Sequence, residues 1–177
     1  TRGYGILWDN ASITRVGDPD PYEKLRIGWD AKYYLGDRLV VERAEEAIDY
    51  HYLSDQERWP EEAKAAVEAA TTGQNTQGNA IETQRVVWTG TFDPASSGTH
   101  KFRLYSSSYV QVYADSELVL DRWRQNWNPW YHNFELALKE GKPVQLRIEW
   151  EPNQGYLALE HADPLPEADR HSVSFAS

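Results

Sequence analysis

Residues 123–131 read Trp-Arg-Gln-Asn-Trp-Asn-Pro-Trp-Tyr, three tryptophans and a tyrosine in nine residues that also hold a guanidinium and three carboxamides. A buried strand does not place such polar groups between its rings. Flat rings interleaved with planar hydrogen-bonding groups suit a sugar. The rings cover the apolar face of a pyranose, and amides and guanidinium fork onto its hydroxyls. Trp127 and Trp130 lie in the loop proper and make the best platforms; Tyr131 opens the next strand, and His132 beside it can meet a hydroxyl. The candidate carbohydrate-binding set is therefore Arg124, Gln125, Asn126, Trp127, Asn128, Trp130, Tyr131 and His132. The other use of such rings is to cap the domain from outside, or to bury against a second protein.

Other chemistries have little to work with. The chain has no cysteine, which excludes disulfides, thiol catalysis and cysteine-bound zinc. Its five histidines, at 51, 100, 132, 161 and 171, show no metal-ligand spacing along the chain. A glycosidase needs two carboxylates set across a cleft, and 28 acidic residues nominate no particular pair. No catalytic residue, metal ligand or cofactor is assigned. The net charge of −10 argues against nucleic acid or an anionic membrane surface as a partner. Nor does any stretch reach the roughly 18–20 apolar residues of a membrane span. Acid is concentrated in residues 42–68, read as a mostly solvated face. Eight Trp and eleven Tyr against four Phe favour rings with a polar tip, as at wet binding surfaces.

The elements that must position these residues are mostly strands. Residues 3–8 read as a strand and 16–22 as a turn-rich linker, and strand signals recur at 31–35, 38–43 and 47–53. One helix starts at Pro60 and presents Ala63, Ala66, Val67 and Ala70 on one face, with Thr71-Thr-Gly73 as its stop and a loop over 71–80. Thereafter short strands at 85–92, 100–106, 109–114, 117–121, 134–138, 144–151 and 156–160 are separated by turns. The pattern predicts an all-β, antiparallel barrel or sandwich with one short α-helix. Trp59 is expected to staple the helix, Trp88 and Trp150 to belong to regular strands, and Asp115 to form a turn.

Two family resemblances follow. Trp88-Thr-Gly-Thr-Phe92, the strand ending at Leu104, the run Val110 to Trp123, and Leu136 to Trp150 together resemble the protective-antigen (PA-14) β-barrel domain, the 110–123 hairpin being its most specific part. Arg2 to Thr14 is similar to the N-terminal β-sandwich of glycoside hydrolase family 31, and His171 to Ser177 resembles the strand that resumes it. The implied organisation is a sandwich fragment at 1–24, a PA-14 domain at 25–162 and a return strand at 163–177.

Together these resemblances imply a module inserted in an α-xylosidase- or α-glucosidase-type enzyme, partnered by the catalytic barrel and sandwich of the parent chain. Its ligand is an oligosaccharide such as a xyloglucan fragment, whose distal part it contacts, and a periplasmic or cell-surface parent is favoured. The (β/α)8 barrel that supplies catalysis does not fit in 177 residues beside this module, so the chain itself is expected to be non-catalytic. Some PA-14 adhesins hold calcium with aspartates in the loop that here reads Ser106-Ser107-Ser108, and a hard cation wants charged oxygens. The resemblance also implies that Trp123 packs in the core. The rival reading is a structural insert that mediates dimerisation or domain spacing without sugar contact.

Overall fold

The computed structural model describes residues 19–50, 59–74, 83–124, 128–152 and 155–165. The strand expected at 3–8, the end of the one at 47–53, residues 75–80 of the expected loop, residues 1–18 and 166–177 of the two flanks, and Gln125, Asn126 and Trp127 lie outside the described residues.

Among the described residues, eleven strands and one helix run in the order β1 (Glu23–Lys24), β2 (Trp29–Leu35), β3 (Arg38–Glu45), β4 (Asp49–Tyr50), α1 (Glu61–Gln74), β5 (Gln84–Phe92), β6 (Gly98–Ser106), β7 (Tyr109–Ala114), β8 (Glu117–Arg122), β9 (Trp130–Leu138), β10 (Val144–Glu151) and β11 (Leu157–Ala162). They form two antiparallel sheets. One has the order β1-β11-β6-β9, with β4 also paired to β11; the other runs β3-β2-β5-β10-β7-β8. The architecture is a β-sandwich, not a closed barrel.

Period-two patterning explains the layers. In β7, Val110, Val112 and Ala114 are buried while Tyr109, Gln111 and Tyr113 are not; β10 buries Val144, Leu146, Ile148 and Trp150 in the same way. Facing them from the other sheet are Phe102, Leu104, Phe134, Leu157 and Leu159, and all belong to one apolar cluster.

One buried polar node runs through that cluster. The largely buried Glu45 carboxylate accepts hydrogen bonds from the Tyr33 hydroxyl, from Tyr50 Oη at 3.0 Å, from Trp88 Nε1 at 2.8 Å and from Arg43 Nε at 2.8 Å. Burial, with Glu45 close by, pushes both phenols well above the ordinary tyrosine range, so they stay protonated as donors. Glu45 thus departs from the solvated face expected for residues 42–68.

The helix runs to Gln74, past the stop expected at Thr71-Thr-Gly73, because those residues lower helix propensity without forbidding a last turn. Glu61 and Glu62 occupy its first turn, where the dipole favours them, and Ala63 is buried beneath it. Trp59 meets Tyr33 edge-on at 5.8 Å, so it pins the helix start to β2.

β9 begins at Trp130, four residues before the strand expected at 134–138. Its register with β6 pairs Ser106 with Trp130, Tyr105 with Tyr131 and Leu104 with His132. At the β7–β8 hairpin Asp115 and Ser116 both have positive φ, 46° and 71°, the signature of a two-residue type I′ turn. Asp115 also ties the turn to β10, its Oδ1 accepting from the Gln145 N–H at 2.9 Å.

Two outcomes are expected in urea denaturation. Glu45→Ala strands several buried donors at once and lowers stability by about 3–5 kcal/mol, a loss of under 1 kcal/mol being inconsistent with the node. Ser116→Gly removes a left-handed penalty of about 1–2 kcal/mol, partly offset by glycine entropy, and stabilises by about 0.5–1 kcal/mol.

Candidate carbohydrate-binding surface

β8 is the edge of one sheet and β9 the edge of the other, so the segment between them, described at 123–124 and 128–129, is a crossing from one sheet to the other. Among the described residues the exposed large aromatics are Trp123 at 37%, Trp130 at 66% and Tyr131 at 52% relative accessibility. All three flank this one crossing, where Arg124 and Asn128 are exposed as well.

Each end of the crossing is anchored. Asp121 Oδ1 accepts from the Trp123 backbone N–H at 3.0 Å and from Gln111 Nε2 at 3.3 Å. The Trp123 ring leans on Tyr109 with centroids 5.8 Å apart. Trp123 therefore lies on the surface rather than in the core implied by resemblance: it falls just beyond β8, after the inward alternation has ended.

At the other end, successive side chains of a strand point to opposite faces, so Trp130 and Tyr131 do not form one flat platform. Tyr131 joins the outer face of its sheet, 5.0 Å from Tyr105, which in turn meets Tyr156 at 6.2 Å. Sequence reasoning missed this face, because Tyr105, in β6, and Tyr156, just before β11, are far apart in the chain. Arg103 sits among these rings, its guanidinium 4.2 Å from the Tyr22 centroid and 5.3 Å from that of Tyr131. Arg103 is held there by Glu160 at 2.6 Å and Asp20 at 2.8 Å. The arrangement presents exposed ring faces beside a fixed planar cation, the elements that sugar recognition uses.

His132 is not brought to this surface. It alternates inward with Phe134 and is buried. Burial, and then the positive charges of Arg122 and Arg124, hold its imidazole down to about 4.

Ser106, Ser107 and Ser108 are all buried. Ser107 is bound on three sides: its carbonyl accepts from Trp150 Nε1 at 3.2 Å, its N–H donates to the Tyr156 carbonyl at 3.0 Å, and its Oγ accepts from the Tyr156 N–H at 2.8 Å. Gly155 closes this corner, since a Cβ there would come within 2.5 Å of Ser107 Oγ. A separate cavity of about 220 Å3 is lined by Gly36, Asp37, Thr83, Arg85 and Glu151. It has no aromatic wall.

Comparison with known proteins places the fold. A family model described as the PA14 domain matches residues 49–164. The chain is similar to the GH31 alpha-xylosidase from Xanthomonas citri, with 35% identity and a TM-score of 0.66 over 86% of this chain, but it spans only 17% of that enzyme. A beta-glucosidase from Kluyveromyces marxianus shares the fold at 17% identity and a TM-score of 0.53, covering 80% of this chain and 16% of its own. Anti-sigma-I factor RsgI3 of Acetivibrio thermocellus is 28% identical over 69 residues, 39% of this chain and 11% of that protein.

The His132 environment sets an acid sensitivity. Because its folded value lies near 4, below the ordinary 6.5, the unfolded chain binds more protons between those limits. This contribution to stability is complete above about pH 6.5 and is lost as pH falls towards 4. The melting temperature is expected to fall across that range, and less steeply in His132→Gln. An unchanged slope in the variant contradicts the assignment.

Proposed function

Starting from a chain that belongs to the PA14 domain family, we propose that it is the carbohydrate-recognition module of a family 31 glycoside hydrolase of α-xylosidase or α-glucosidase type. The observation that carries this reading is the gathering of Trp123, Trp130 and Tyr131, the exposed large aromatics among the described residues, around one crossing that also bears Arg124 and Asn128. The 35% identity to an alpha-xylosidase across 86% of this chain supports the parent activity.

In this reading the flanks within 1–24 and 163–177 lead into the β-sandwich of the parent enzyme, with Glu23–Lys24 already pairing to β11 of the module, and residues 25–162 form a module that extends the enzyme's active-site pocket. The terminal sugar of a branched oligosaccharide, such as a xyloglucan fragment, enters the catalytic barrel while a distal sugar rests on the aromatic crossing. Trp130 supplies one apolar face and Tyr131, backed by Tyr105, a second. Arg124 and Asn128, with Gln125, Asn126 and Trp127 of the same segment, supply the remaining ring and the hydroxyl contacts. Contact with a remote sugar raises turnover only where it is realised in the transition state, so the module acts on rate as well as on substrate choice.

An open surface binds single oligosaccharides weakly, at about millimolar Kd, or roughly −4 kcal/mol. Calorimetric titration of the chain with xyloglucan oligosaccharides is expected to show such binding, weakened about tenfold by Trp130→Ala and by Tyr131→Ala, or ~1.4 kcal/mol each. Melting temperature should change little, because both rings are exposed. If sugar affinity is untouched and Trp130→Ala instead dissociates a dimer in sedimentation equilibrium, the surface is a protein interface and the proposal fails.

A further inference from the structure

We propose that His100, His161 and Asp163 form a binding site for one zinc-class divalent cation, away from the aromatic crossing. The three offer ligand atoms within 4.8 Å of one another. Linear spacing gives no sign of it, since the histidines are 61 residues apart. Antiparallel pairing creates the cluster: β6 and β11 pair Phe102 with His161 and Lys101 with Ala162. Continuing that register sets Asp163 opposite His100, and the two-residue period turns His161 and Asp163 to the same face.

The tautomer of His100 follows from its partners. It is fully buried, and its Nε2 lies 2.9 Å from the Ser96 carbonyl, which can only accept. Nε2 therefore carries the hydrogen and Nδ1 presents a bare lone pair. This is the arrangement of a metal-ligating histidine, whose second nitrogen donates to a backbone carbonyl and fixes the ring. His100 Nδ1 lies 2.9 Å from His161 Nε2, and Asp163 Oδ1 lies 3.7 Å from the first and 3.9 Å from the second. A point equidistant from these three atoms is about 2.1 Å from each, within the range of about 2.0–2.2 Å for zinc on nitrogen and oxygen.

The surroundings suit a small bound ion. Phe92 stands edge-on to both imidazoles, at 4.8 Å from His161 and 5.6 Å from His100, and Phe102 lies 5.0 Å from His161. Asp163 is 68% exposed at the side chain and opens the site to solvent. In the metal-free arrangement His161 Nε2–H donates to His100 Nδ1. Binding replaces that hydrogen: His161 takes the Nδ1–H tautomer, and its ring hinges until both lone pairs converge on the ion. Two imidazoles and one carboxylate favour borderline metals such as zinc over calcium or magnesium, which prefer oxygen alone. The bound ion clamps the end of β11 to β6 and keeps a fourth position for water.

Thermal unfolding of the metal-stripped chain with zinc chloride alone tests the site. Zinc at hundredfold excess over its Kd is expected to raise the melting temperature by roughly 5 °C or more, reversibly with chelator, while calcium leaves it unchanged. His161→Asn should abolish the rise, and Asp163→Asn, at an exposed position that does not endanger folding, should weaken zinc affinity at least tenfold. Cobalt substitution should give the intense visible bands of a tetrahedral site. Absence of any zinc effect, or a zinc effect of full size in either variant, overturns the proposal.

Discussion

Glu45 is the constraint around which this sandwich is arranged. Its carboxylate reaches inward from an edge strand and gathers donors from β2, β3, β4 and β5. Tyr33 and Trp88 belong to one sheet and Tyr50 to the other, so a single buried group sets how the two layers meet at that end. A carboxylate in such a place is tolerable only because its lone pairs are filled; the same burial makes every missing donor costly.

From this node packing continues to the aromatic surface. Tyr50 lies 5.8 Å from both Trp88 and Trp150. Trp150 donates to the Ser107 carbonyl, and Ser107 holds the backbone of Tyr156. Tyr156 in turn flanks Tyr105, against which Tyr131 rests. The exposed ring of Tyr131 therefore stands on side chains fixed by the core. Rigid support of this kind lowers the entropy lost when a flat ring meets a ligand. The three serines at 106–108 belong to this support: the backbone and hydroxyl of Ser107 serve the corner that carries Tyr156.

What the sequence reveals follows from period and turn chemistry. Strands β7 and β10, with their strict alternation, are legible to the residue, as are the helix face and the turn at Asp115. The start of β9 is not, because Trp130-Tyr-His-Asn133 shows no contrast between apolar and polar positions. Missing that start merges Trp130 with Tyr131 and leaves His132 looking like a surface group, when alternation separates the first two and turns the third inward. Glu45, one acid in an acidic stretch, carries no local mark of its burial. Tyr105, Tyr156 and Arg103, like His100 and His161, become neighbours only through strand pairing, which a single sequence does not state. The exposure of Trp130 and Tyr131 is legible because the composition of their segment contradicts a core; that of Trp123 is not.

The central claim is that this crossing receives a sugar, and the tryptophans report on it directly. The chain has eight indoles, each with its own Nε1–H signal in a nitrogen-15 correlation spectrum. On titration with a xyloglucan oligosaccharide, the account predicts that the signals of Trp123, Trp127 and Trp130 shift together along one binding isotherm. Those of Trp29, Trp88 and Trp150, buried in the core, should stay in place. If the three signals from the crossing are unmoved at saturating sugar, or move no more than the core indoles, the claim is contradicted.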